Sequence, residues 1–280
     1  MSNTTIHLAM GQMLVEGGKP RENVGRAVEM IRRAAAEGCR IVVLPECLDL
    51  GWTHPSARQL AEPIPGGASD RLAQAARDAG IYVVAGLTER FEDRIFNAAV
   101  LIAPEGEILL VHRKINILDI AQDLYATGDR LSVAHTPLGT IGVNVCADNF
   151  PDSLCLGHAL ARMGAQVLLS PSAWAVDADH DPVAVPYGAL WKGAYATLAR
   201  LYEMPVVGVS NVGRITAGPW KGRKCIGCSL AIGPSGETLA EGPYGETAEA
   251  LIAVQIEMPP RRVTGTEIAP MLRRRGYEGP

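Results

Sequence analysis

Three apolar runs in this chain, each short enough to be a buried strand, hand over directly to a reactive side chain. Ile41–Leu44 leads through Pro45 to Glu46, Ile108–His112 leads to Lys114, and Thr140–Val145 leads to Cys146. Between such runs the apolar period lengthens to that of a helix. Arg21–Glu37 places Val24, Ala27, Val28, Ile31 and Ala34 on one face and stops at Gly38. Ser69–Ala79 repeats the pattern and stops at Gly80. Strands alternating with helices restrict the chain to a layered α/β fold.

The same reading predicts strands at Ile6–Met10, Ile81–Leu87, Val167–Ser170, Pro205–Ser210 and Leu251–Ile256, and helices at Ser153–Met163 and Pro186–Tyr202. Two hairpins are marked by Pro-Glu-Gly at 104–106 and Pro-Ser-Gly at 234–236. Two strand–helix–strand halves, each with its own hairpin, predict layered sheets with helices outside. A length of 280 residues allows one domain or two. No linker, charge run or low-complexity tract divides the chain, so one domain over 1–280 is expected. The tail from about 259 to 280 is rich in Arg and Pro. It is expected either to form an arm on a partner subunit or to lie loose.

A formal net charge of -4 gives no electrostatic reason to expect nucleic acid. The N-terminus carries no secretory signal pattern, and no apolar run is long enough to span a membrane. A cytoplasmic location is the default expectation. The six cysteines are then thiols, most of them small buried hydrophobes, with room for one reactive exception.

Strands of an open α/β sheet deliver their sites at the carboxyl edge, so Glu46, Lys114 and Cys146 can converge on one rim. Any one alone reads more readily as a solvated charge or a packed thiol. Together they form a chemical set. A carboxylate can take the proton of a thiol, an ammonium can stabilise a tetrahedral oxyanion, and the backbone N–H of Ala147 can add a second donor.

The motifs around these residues resemble those of the nitrilase superfamily of carbon–nitrogen hydrolases, in order and over nearly the whole chain. LPECLDLGW is similar to the family's glutamate motif, VHRKINILD to its lysine motif and IGVNVCADNFPD to its nucleophile elbow. LLSPSAW, ARLYEMPVVGVSNVG and GCSLAIGPSGETLA are similar to its later segments. The resemblance implies a four-layer αββα sandwich, no metal, no organic cofactor and a homodimer. It implies Glu46 as base, Lys114 as catalytic lysine and Cys146 as nucleophile, with Trp52 and Trp174 near the pocket. Its implied chemistry is a thioester route to hydrolysis of a small-molecule amide or N-carbamoyl compound. Cys-Ala-Asp differs from the Cys-Trp-Glu of true nitrilases and points toward amides. A nitrile hydrolase and a non-catalytic scaffold are the alternatives.

The chain also departs from the pattern. Many relatives carry a second glutamate between the lysine and cysteine motifs, where this chain offers Asp119 or Asp123, or nothing. The segment after Cys146 is about one residue short. Cys47 is read as packing, and Cys225-x-x-Cys228 as part of a hairpin rather than a zinc or redox motif. The acidic loop with Asp177, Asp179, His180 and Asp181 reads as solvated, or as a rim that would select a cation.

Overall fold

The computed structural model describes residues 4–260 and 265–277. In chain order the strands are β1 (Thr4–Gln12), β2 (Ile41–Val43), β3 (Tyr82–Phe91), β4 (Arg94–Ile102), β5 (Ile108–Arg113), β6 (Val133–Thr136), β7 (Gly139–Val143) and β8 (Val167–Ser172). They continue with β9 (Ala175–Val176), β10 (Val206–Ser210), β11 (Val212–Arg214), β12 (Lys224–Ile226), β13 (Leu230–Ile232), β14 (Thr238–Glu241) and β15 (Ala250–Met258). The α-helices are α1 (Pro20–Ala36), α2 (Ala57–Leu60), α3 (Gly67–Ala79), α4 (Leu154–Arg162), α5 (Ala189–Tyr202) and α6 (Ile268–Arg274).

Two six-stranded sheets, ordered β15-β1-β2-β3-β4-β5 and β14-β13-β10-β8-β7-β6, form the two inner layers. The period of two along each strand decides what each face meets. In the first sheet Leu8, Met10, Ile41, Val43, Tyr82, Val84, Ala99 and Leu101 share a core with Ile141, Val143, Leu169, Val207 and Val209 of the second. Their neighbours Ala9, Val42, Val83 and Val100 point the other way, onto Val24, Ala27, Ile31 and Ala34 of α1 and Leu72 and Ala76 of α3. Helices α4 and α5 cover the outer face of the second sheet through Leu160, Tyr195, Leu198 and Ala199. The result is the αββα sandwich.

Local chemistry sets the helix ends. Pro20 opens α1, where its missing N–H costs nothing. Ser69 Oγ accepts the Gly66 N–H at 2.8 Å at the start of α3. Gly80, at φ +67°, closes α3 in the left-handed region.

Several elements differ from the sequence reading. The strand at Ile81 runs on to Phe91 and turns through Glu92–Asp93 into β4, so charged residues that read as a loop form a hairpin. The helix expected from Pro186 starts at Ala189, after Gly188 at φ +107°. A small third sheet, β11-β12-β9, was not legible in strands of two or three residues. The last long strand, β15, leaves the second half and pairs antiparallel with β1 from Thr4↔Met258 to Gln12↔Ala250. Of the tail beyond 259, residues 261–264 and 278–280 lie outside the described residues. The remainder packs on its own chain, with Ile268 and Leu272 buried in the core and Arg275 donating to the Leu201 carbonyl at 2.6 Å.

One glycine on β3 sets how close the sheet comes to the Glu46 turn. A Cβ at Gly86 would lie 2.5 Å from the Glu46 Cα and 2.7 Å from the Pro45 carbonyl oxygen. Gly86→Ala should therefore destabilise the fold by about 1–3 kcal/mol, seen as a lower urea midpoint. Gly193→Ala is the contrast: its Cβ would meet nothing within 4 Å on the exposed side of α5, and the same measurement should show a gain of about 0.4–1 kcal/mol.

Candidate functional site

Glu46 follows β2 and Lys114 follows β5, both in the first sheet, while Cys146 follows β7 in the second. Their side chains meet between the sheets. The Lys114 ammonium donates to Glu46 Oε1 at 2.7 Å, and both side chains are buried. Asn97, on β4, donates to the same oxygen at 2.6 Å. Glu46 Oε2 is buried and has no hydrogen-bond partner. One carboxylate oxygen is thus fixed from two sides while the other stays open.

Cys146 sits at φ +46°, in the left-handed region that non-glycine residues avoid at a cost of about 1–3 kcal/mol. The surrounding bonds hold it there. Its N–H donates to Ser170 Oγ at 3.0 Å. Asn149 exchanges two hydrogen bonds with Asn144, at 2.7 and 2.9 Å, and also donates to Ser170. Residues 146–149 form a 3₁₀ turn. Ala147 lies in its opening, where amides have no intrahelical acceptor.

Asp148 ties the Cys146 turn to the Lys114 strand. Its carboxylate accepts the N–H groups of Val145 at 3.0 Å, Ile115 at 3.1 Å and Asn116 at 2.7 Å, and lies 2.8 Å from His112 Nε2. Both His112 and Asp148 are buried. Burial would push the Asp148 carboxyl up, but His112, the Asn116 amide and Lys114 outweigh it and hold it below the usual range.

Burial pushes the Cys146 thiol up to about 12; the Glu46 carboxylate pushes the same way, while Lys114 and the Ala173 N–H oppose it. Burial raises Cys47, Cys225 and Cys228 as well. What separates Cys146 from these three is that it lines the same cavity as Lys114. Burial alone would lower Lys114. Glu46, Cys146 and Asp148 reverse that, so the ammonium lies above its ordinary value and stays charged.

The cavity measures about 340 Å³, and Lys114, Cys146 and Ala147 line it. Trp52 and Trp174 line it too, at the positions the sequence reading singled out. Trp191, Trp220 and Phe150 join them. Phe150 lies in the segment just after Cys146, whereas only tertiary packing brings Trp191 and Trp220 here. Asn97 was also missed, although the alternation along β4 turns it toward Glu46. Asp119 and Asp123 do not take the second acidic position. Both are exposed and outside the cavity lining, because the 3₁₀ turn Asp119–Ala121 buries Ala121 and leaves its acid in solvent. Cys47 is fully buried, with Sγ 3.6 Å from the Tyr125 hydroxyl. Asp177 pairs with Arg223 at 2.8 Å, and none of Asp177, Asp179 and Asp181 lines the cavity. Among the described residues no cluster of three or more His, Cys, Asp or Glu side chains could hold a metal ion. No described helix is long and apolar enough to cross a membrane.

The fold and the sequence both have known counterparts. The chain is 33% identical over 180 residues to the omega-amidase NIT2 of Xenopus tropicalis, a match that spans 60% of this chain and 64% of that protein. It is 30% identical over 260 residues to a nitrilase of Pyrococcus abyssi, covering 90% of each chain. Its fold superposes on a carbon–nitrogen hydrolase of Helicobacter pylori G27 with a TM-score of 0.80, at 21% identity, over 96% of this chain and 92% of that one. Residues 7–263 match the model of the carbon-nitrogen hydrolase family, and the chain belongs to that family.

Proposed function

We propose that the protein is a thiol amidohydrolase that cleaves a carbon–nitrogen bond of a small amide through a thioester on Cys146. The observation that carries this reading is the open, buried Glu46 Oε2 beside a protonated thiol, with the other oxygen locked by Lys114 and Asn97. As Cys146 Sγ attacks the amide carbon, its proton passes to Glu46. The carbonyl oxygen becomes an oxyanion, and the Lys114 ammonium and the Ala147 N–H stabilise it. Glu46 then returns the proton to the nitrogen, the C–N bond breaks, and ammonia or an amine leaves. In the second half Glu46 takes a proton from water, the hydroxide attacks the thioester, and the sulfur leaves and is reprotonated.

An omega-amidase and a nitrilase among the relatives support carbon–nitrogen chemistry. Cys-Ala-Asp at the elbow favours amides. Six free thiols fit a reducing compartment such as the cytoplasm.

Cys146→Ala should abolish ammonia release from any amide the wild type hydrolyses, and intact-mass spectrometry of the wild type during turnover should show an acyl adduct. Full activity in Cys146→Ala would overturn the reading. A matching nitrile tested alongside each amide separates the two hydrolase chemistries.

Glu46→Gln keeps the shape but removes the proton acceptor, and kcat/KM should fall by roughly 10²–10⁴-fold. The pH profile follows from the raised thiol. With Cys146 held up to about 12, the thiol stays neutral from pH 7 to 9. The wild-type kcat/KM should therefore stay nearly flat over that range. A tenfold rise per pH unit would mean that a free thiolate is the attacking species.

A further inference from the structure

The protein contains four tryptophans, Trp52, Trp174, Trp191 and Trp220, and all four line the one cavity that holds Cys146. In a chain with only 5% aromatic residues this concentration gives the cavity two aromatic walls. Trp52 and Trp220 form one, with ring centroids 4.5 Å apart. Trp174 and Trp191 form the other, stacked at 4.9 Å, with Phe150 5.2 Å from Trp191. A hydrogen bond of 2.8 Å from Trp191 Nε1 to the Tyr187 hydroxyl fixes the second wall.

Charge is nearly absent from the lining. Among the described residues its charged or titratable side chains are Lys114, already bound to Glu46, His180, the Cys146 thiol and the Tyr187 phenol. No arginine or second lysine lines it to meet a carboxylate, and no aspartate or glutamate lines it to meet an ammonium. Trp174 Nε1 and His180 Nε2 are buried without a partner, so the wall offers two unpaired polar atoms. At the mouth, Val185 and Leu190 are 62% and 47% exposed, which extends the apolar surface outward.

Resting on the amidohydrolase reading above, we propose that the substrate is an amide whose acyl part is uncharged and apolar, with ring-bearing acyl groups favoured. A cavity of about 340 Å³ is of the size that encloses a small organic ligand. A carboxylate carried into it would lose water and gain no free cation. An ammonium could use the ring faces, but no aspartate or glutamate of the lining would pair with it.

The test compares three amides of similar length: 4-methylpentanamide (neutral), succinamate (anionic) and β-alaninamide (cationic), with phenylacetamide as the ring-bearing case. Ammonia release gives kcat/KM for the wild type. Quenching of tryptophan fluorescence gives binding for Cys146→Ala, and for the wild type where an amide is not turned over. The neutral amides should exceed both charged ones by roughly 100-fold or more in kcat/KM, and only they should quench saturably. Succinamate or β-alaninamide used as well as the neutral amides would overturn the proposal. If no amide is turned over, the amidohydrolase reading fails by itself and binding still decides. Quenching by neutral amides alone supports an apolar ligand, whereas quenching by a charged amide, or by none, overturns it.

Discussion

The Lys114–Glu46 ion pair is the constraint on which the rest of the site depends. Two opposite charges sit at 2.7 Å in the dry space between two sheets, with both side chains buried. Such a pair is a poor way to stabilise a fold, because desolvation offsets much of the attraction; removing one partner typically costs about 3–5 kcal/mol. Its value is positional. It fixes one carboxylate oxygen and leaves the other buried without a partner. The Asp148 carboxylate extends the same order to the second sheet. It gathers the amides of Val145, Ile115 and Asn116 and reaches His112, so the lysine strand and the cysteine turn cannot drift apart independently.

Much of this could be read from the sequence, and particular residues show why. Glu46, Lys114 and Cys146 stood out because each leaves the end of an apolar strand, and strand period is a local property; that the strands belong to two facing sheets was not readable from it. The helical layers were readable for the same reason, from Val24 to Ala34 and from the stops at Gly38 and Gly80. The misreadings fall where tertiary contact outweighs local pattern. Pro186-Tyr187-Gly188 continues a helix-like run, yet it lines the cavity and the helix begins only afterwards. Asp119 and Asp123 occupy the expected stretch of chain, but the turn exposes them. Trp191 and Trp220 are far from Cys146 in sequence, so no spacing rule could have gathered them.

On the proposed route the attacking group is a protonated thiol in a strained turn rather than a resting thiolate. Burial and the Glu46 carboxylate both disfavour the charged sulfur, while Lys114 favours it. Proton transfer is thereby coupled to attack, and an unoccupied site keeps a less reactive sulfur. The same enclosure gives the aromatic walls their influence, because a substrate must shed water to reach the thiol. The proposed chemistry and selection therefore draw on one property, the burial of the site between the sheets.

The antiparallel pairing of β1 with β15 has a consequence for how the molecule is made. Strand β1 lies second in its sheet and β15 at the edge, joined over nine residue pairs from opposite ends of the chain. During synthesis β1 and β2 leave the ribosome before β15, which follows more than two hundred residues behind β1. Until it arrives, β1 presents an unpaired edge carrying Ile6, Leu8 and Met10, open to pairing with other chains. The first sheet is complete only when residues 250–258 emerge, so maturation of this half is a late, long-range event that gains most from a chaperone.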